Sequence, residues 1–147
     1  MHAFAELLDR LVLTPQRNAK IKLMADYFRA APDPDRGYAL ASLSGTLTLS
    51  TVKPQLLKQL VLERMDEVLF QYSYDYVGDL AETISLVWEP AGDGKLEQAD
   101  LSLGAIVQKL QSASRADVHG VVRTLLDRLD GSGRFAFLKL ITGGMRI

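Results

Sequence analysis

Apolar residues recur along most of this chain at the three-to-four-residue spacing of amphipathic helices, and the breaks between stretches carry helix-start or helix-stop chemistry. Phe4, Leu7, Leu8 and Leu11 share one face of a first helix that should end near Leu13. Thr14 and Pro15 read as the start of a second helix, because threonine caps orphan amides and proline suits the first helical position. The buried stripe of that helix is expected to be Ile21, Met24, Ala25 and Phe28, with a stop at Pro32, Asp33 and Pro34. A shorter helix from Tyr38 to Ser44 closes at Gly45. Residues 46–51 alternate apolar and polar, but a lone strand leaves its backbone groups unsatisfied, so a connector is expected there.

Pro54 opens a helix bearing Leu56, Leu57, Leu60 and Val61. Asp66 to Tyr76 follows with Val68, Leu69 and Tyr72 as its apolar positions, and Gly78 and Asp79 read as a cap and restart before Leu80 to Trp88. Pro90, Gly92, Asp93 and Gly94 form a turn-rich loop. Ser102 should cap a helix running to Leu110, and Ser114 another carrying Val118, Val121, Val122, Leu125 and Leu129. Gly131, Ser132 and Gly133 are expected to break that run before a short buried helix with Phe135, Phe137, Leu138 and Ile141. The expected fold is all-α, an irregular bundle of about eight helices with no significant sheet and no repeat period.

Composition adds one core and excludes several chemistries. The 147 residues are 48% hydrophobic and contain no cysteine, which removes disulfides, thiolate catalysis and thiolate metal sites. No stretch approaches a membrane span or a secretory leader, so a cytoplasmic location is expected. The net charge of -1 conceals an uneven distribution. Residues 1–60 hold eight Lys/Arg against five Asp/Glu, residues 61–100 two against ten, and residues 101–147 seven against three. The middle is acidic and both ends are basic, an arrangement that charge alone assigns to no partner.

Catalytic signatures are missing from the sequence: it has no phosphate-binding glycine loop, no His-Glu-x-x-His pair and no Gly-x-Ser-x-Gly elbow. His2 and His119 are far apart and have no carboxylates at ligand spacing, so neither a catalytic nor a metal site is expected.

Three places share a different device, read as a Ser/Thr helix cap with a cation close to it. Thr14 precedes Arg17 and Lys20, cations in a first helical turn where the macrodipole disfavours them and where a phosphate would compensate. Pairing of these cations with Glu6 or Asp9 is the competing account. Ser112, Ala113, Ser114 and Arg115 repeat the device, with two hydroxyls and Arg115 expected at the first helical position, and with Asp117 close enough to pair with Arg115 or to repel a phosphate. Gly143 and Gly144 permit close backbone approach ahead of Arg146, though a helix C-cap would also use a glycine there. Trp88, Tyr72, Tyr74 and Tyr76 at helical spacing are expected at the core or its boundary rather than as base-stacking platforms.

Taken in order, Thr14-Pro15-Gln16-Arg17-Asn18-Ala19-Lys20, Val77-Gly78-Asp79-Leu80-Ala81-Glu82, Ser112-Ala113-Ser114-Arg115 and Thr142-Gly143-Gly144-Met145-Arg146-Ile147 resemble the N-terminal DNA-binding domain of ATP-dependent DNA ligases, especially the bacterial enzymes. The resemblance runs the length of the chain. It implies an all-helical domain that lies along the minor groove and, with adenylation and OB-fold domains of the same polypeptide, encircles nicked duplex DNA. It further implies DNA contacts at Thr14, Arg17, Lys20, Ser112, Ser114, Arg115, Gly143, Gly144 and Arg146, a nucleoid-associated cytoplasmic location, and an ATP and divalent-metal requirement for the full-length enzyme. Asp117 and Val118 depart from the pattern, since eukaryotic relatives tend to carry lysines after the serine cap. The resemblance also implies a domain that continues past Ile147. The sequence contains no Lys-x-Asp-Gly adenylation motif. A reading from a different class stays open beside it, a helical protein-interaction module whose acidic segment, residues 61–100, binds a basic partner.

Overall fold

Four helix starts are set by short side chains that accept a hydrogen bond from an otherwise orphaned amide. Asp66 takes the Leu69 N–H at 3.1 Å, Asp79 the Glu82 N–H at 2.8 Å, Ser102 the Ala105 N–H at 3.1 Å, and Asp130 the Gly133 N–H at 2.7 Å. A computed structural model of the chain describes residues 1–47, 49, 52–90 and 102–143, and among these residues it forms nine α-helices and no strand. They are α1 (His2–Leu13), α2 (Arg17–Ala30), α3 (Asp35–Leu43), α4 (Pro54–Leu62), α5 (Glu67–Val77), α6 (Leu80–Val87), α7 (Leu103–Ser112), α8 (Val118–Arg128) and α9 (Gly131–Thr142). No described helix is long and apolar enough to cross a membrane.

The all-α expectation therefore holds, with one helix more than the approximate count. Thr48, Ser50 and Thr51 of the expected connector lie outside the described residues, as does most of the Pro90–Gly94 loop. Gly78 stands between α5 and α6 at φ 82, a left-handed conformation that glycine adopts without strain, and the restart at Asp79 follows directly.

The core is built around α9, which packs against α1 on one side and α6 on the other. α1 contributes Phe4, Leu7, Leu8 and Leu11 to this core and α9 contributes Ala136, Phe137, Leu138, Leu140 and Ile141, all buried. Leu103, Ile106, Val107 and Leu110 of α7 and Val122, Leu125 and Leu126 of α8 extend the same cluster, and α7 also packs on α3. Asp35, the first residue of α3, accepts the Gly104 N–H at 2.8 Å and so ties the start of α3 to the start of α7.

Three sequence expectations are corrected here. Gly131, Ser132 and Gly133 do not break the chain before α9. They form its first turn, because the Asp130 carboxylate caps Gly133 and offsets the low helical propensity of the glycines. α2 contains no fully buried residue, and Ile21 of its expected stripe is exposed; Leu23, Met24, Tyr27 and Phe28 are its half-buried side. In α5 the expected stripe is reversed, since Val68, Leu69 and Tyr72 are exposed and Phe70 is buried. α5 is apolar on two arcs, and periodicity alone finds both without saying which one the core will take.

Candidate nucleic-acid interface

The first candidate cluster lies between α1 and α2, but not in the geometry that Thr14 and Pro15 suggest. Thr14 ends α1: its backbone N–H donates to the Leu11 carbonyl, and its hydroxyl donates to the Arg10 carbonyl at 2.7 Å. α2 begins only at Arg17, after Gln16, which makes no side-chain cap bond. Pro15 therefore stands ahead of the helix rather than at its first position. Arg17 and Lys20 do occupy the first turns of α2, where no acidic residue accompanies them. The competing account of internal pairing fails for both, because Glu6 pairs with Arg10 at 2.8 Å and no ion pair among the described residues reaches Arg17 or Lys20.

The second cluster is the α7–α8 connection. Ser112 is the last residue of α7, and its hydroxyl donates to the Lys109 carbonyl at 3.3 Å, so it finishes one helix instead of starting the next. Ser114 does organise the entry to α8. Its oxygen accepts the Asp117 N–H at 3.2 Å, and the hydroxyl pairs with the Asp117 carboxylate at 3.0 Å. That reciprocal pair uses the hydroxyl proton internally and places a negative charge beside it. Arg115, exposed in the turn ahead of α8, has no ion-pair partner among the described residues. Asp117 thus engages Ser114 and leaves Arg115 unneutralised.

At the third place Gly143 has φ 70 and donates its N–H to the Lys139 carbonyl, the geometry of a left-handed helix C-cap. Gly144 and Arg146 lie outside the described residues.

A signal the sequence reading passed over is Lys109. It is exposed in the last turn of α7, so Lys109 and Arg115 bracket the small-residue connection from both sides, and neither has an ionic partner among the described residues. A lysine and an arginine flanking Ser-Ala-Ser was the available clue. The structure does not join the clusters through direct helix packing of any extent: α2 packs mainly on α1, and α8 on α7 and α4.

The electrostatics around these cations follow from where the acidic stretch turns its carboxylates. Glu63 accepts from Arg123 Nη2 at 2.9 Å and Nε at 3.2 Å, and its Oε1 lies 2.9 Å from His119 Nε2. The hydrogen bonds from His119 and then Arg123 hold the Glu63 carboxyl below its ordinary value. Asp79 accepts from Lys139 Nζ at 3.1 Å. Arg64 makes a two-pronged pair with Asp127, its Nη2 lying 2.9 Å from Oδ2; this hydrogen-bonded pairing raises the Arg64 pKa further. The Arg64 guanidinium also lies 4.6 Å from the centre of the Trp88 ring, whose Nε1 donates to Asp127 at 3.1 Å. The middle and last thirds of the chain therefore neutralise one another in part, while Arg17, Lys20 and Arg115 remain outside that exchange.

Among the described residues no group of three or more His, Asp or Glu is placed to hold a metal ion. Comparison with known proteins finds no matching family, no similar curated protein and no similar solved structure.

Proposed function

We propose that this chain is a DNA-binding helical domain of the kind found in ATP-dependent DNA ligases, gripping nicked duplex through its phosphate backbone and minor groove without reading bases. One observation supports it above the rest: Arg17, Lys20 and Arg115 are cations at helix entries without a carboxylate partner among the described residues, in a fold that pairs Arg64, Arg123 and Lys139 internally. A phosphate satisfies such a cation and adjacent free amides together. The four ordered motifs that resemble the ligase domain supply the rest of the reading. Gly143, Gly144 and Arg146 are the third contact it assigns. Thr14, Ser112 and Ser114 act in it through the backbone they hold, since their hydroxyl protons are already committed.

The role in this reading is positional. The domain holds both sides of a nick, and nucleotidyl transfer with ATP and a divalent metal belongs to the adenylation domain, assisted by the OB-fold domain of the same polypeptide. Location follows the substrate, in the cytoplasm at the nucleoid.

Fluorescence anisotropy with nicked duplex, intact duplex and single strand across a salt series tests it. Duplex affinity should fall linearly in log salt with a slope near -0.9 per phosphate neutralised. Arg17→Ala, Arg115→Ala and Arg146→Ala should each weaken binding equally for all sequences and reduce that slope by about one. Absence of low-salt duplex binding, both by this chain and by one extended beyond Ile147, rejects the reading.

A further inference from the structure

α5 carries a second surface whose chemistry is opposite to that of the cationic helix entries. At about 100° per residue, Val68, Leu69, Tyr72 and Tyr76 share one arc of the helix, and Phe70, Tyr74 and Val77 the other. The second arc faces the core, with Phe70 buried and Tyr74 packed beside it. The first arc is open: Val68 is 60% exposed, Leu69 56%, Tyr72 70% and Tyr76 93%. Single exposed apolar residues are ordinary on a protein surface, but four in register, two of them tyrosine, match the composition of an interface core.

Beside this stripe is a cleft of about 250 Å³ lined by Val61, Arg64, Met65, Leu69, Val87 and Trp88. Leu69 belongs to both, so stripe and cleft are continuous. The cleft is below the roughly 300–1,000 Å³ of small-molecule pockets and suits the insertion of one large apolar side chain. Its wall is already fixed, because Arg64 is held by Asp127 and stacked on Trp88, which itself donates to Asp127. An incoming side chain meets a preformed hole rather than one that must be ordered first.

The charge around this surface identifies the occupant. Among the described residues of 61–90, Arg64 is the sole cation and it is engaged by Asp127. Glu63 and Asp79 are turned to Arg123 and Lys139. Asp66 and Glu89 line the cleft, Asp75 stands next to Val68 on the helical wheel of α5, and none of the three has a cationic partner among the described residues. Lys58 approaches α5 over Tyr74, on the core-side arc. A second copy of the chain would bring the same unneutralised carboxylates against themselves, and the symmetry of such a pair makes every rim contact repulsive. Duplex DNA is excluded by the same sign.

We infer that the outer arc of α5 and the adjoining cleft form a docking site for a cationic amphipathic helix of a partner protein, one apolar side chain entering the cleft and Lys or Arg residues facing the carboxylates on either side. The exposed stripe spans nine residues, a rise of about 12 Å, so an occupant of two to three turns with apolar residues at i, i+4 and i+7 covers it. This site is independent of the cations assigned to DNA, and either function stands without the other.

The probe is a synthetic helical peptide of leucine and lysine at that spacing, with a leucine and glutamate counterpart. Binding to the 147-residue chain is followed by calorimetry and by the emission of Trp88, the single tryptophan, which lines the cleft. The lysine peptide should bind saturably and shift Trp88 emission, and the glutamate peptide should not. A variant carrying Val68→Ser, Tyr72→Ser and Tyr76→Ser keeps every charge; its affinity for the lysine peptide should fall about tenfold or more, with an unchanged thermal melt. Arg17→Ala and Arg115→Ala should leave peptide binding unaltered. Equal affinity in the serine variant reduces the effect to charge alone and overturns the site, as does equal binding of the two peptides or none of the lysine peptide. A concentration-dependent dimer that the serine variant abolishes in sedimentation reassigns the face to a second copy and also overturns the proposal.

Discussion

α9 and α5 are nearly the same length and comparably apolar, with six of twelve and seven of eleven residues aliphatic or aromatic, yet their fates are opposite. In α9, Phe137, Leu138 and Ala136 are fully buried and even Arg134 is covered; in α5 only Phe70 is buried. The difference lies in their neighbours. α9 is sandwiched by α1 and α6, whereas α5 packs on α6 and α4 from one side and presents its other arc to water. Hydrophobic content states what a helix is able to bury, and topology decides how much of it is buried.

The largest effect that sharpens this contrast is expected at Phe137. Truncation to alanine removes a fully buried ring at the centre of the core, and its cost by urea denaturation should be about 3–5 kcal/mol. Tyr72→Ala in α5 should change stability by no more than about 0.5 kcal/mol, since its ring is largely in water already. A comparable loss at Tyr72 would mean that the outer arc of α5 is covered in solution, and the contrast would collapse.

Arg134 carries the comparison from apolar to charged groups. Its Nε donates to the Leu126 carbonyl and its Nη2 to the Leu129 carbonyl, each at 3.0 Å, so a buried guanidinium closes the open end of α8. Burial lowers its pKa from the usual arginine value, with Asp127 and Asp130 pulling the other way. Arg134→Met keeps the apolar stem and strands both carbonyls, and should cost about 2–3 kcal/mol in the same denaturation assay. Arg115→Ala, at an exposed site with no ion-pair partner among the described residues, should be neutral for stability. Loss of stability at Arg115 as large as at Arg134 would show that the exposed cations are structural after all.

How much of this was legible in the sequence divides along the same line. Caps are local, and Asp66, Asp79 and Ser102 start their helices where the residue pattern places them, because the bond each makes reaches only three residues along the chain. The stripes of α1 and α8 were also readable, since each of these helices has one apolar face and no choice to make. α5 was misread because it has two. Thr14 and Ser112 were misassigned for a subtler reason: a hydroxyl between two helices serves either the carbonyls behind it or the amides ahead, and residue type does not distinguish them. In both cases the hydroxyl turned back to a carbonyl three or four residues earlier. The ion pairs that neutralise the acidic stretch, Glu63 with Arg123 and Asp79 with Lys139, join residues about 60 apart and had no local signature at all.

The smallest predicted effect lies in those charges. Glu63 is turned to α8, where His119 and Arg123 engage its carboxylate. The hydrogen bonds from His119 and Arg123 depress the Glu63 carboxyl in the folded state, so the pairing stabilises the fold above the ordinary glutamate value, about 4.3, and is lost as pH falls toward the lower folded value. The side chain is 40% exposed, and solvent screening limits the contribution to about 1 kcal/mol or less. Glu63→Gln should therefore be slightly less stable than the parent near neutrality, and the gap should close as both are denatured at successively lower pH through the carboxylate range. A pH-independent deficit in Glu63→Gln would locate its cost in packing between α4 and α8 rather than in the charge of the carboxylate.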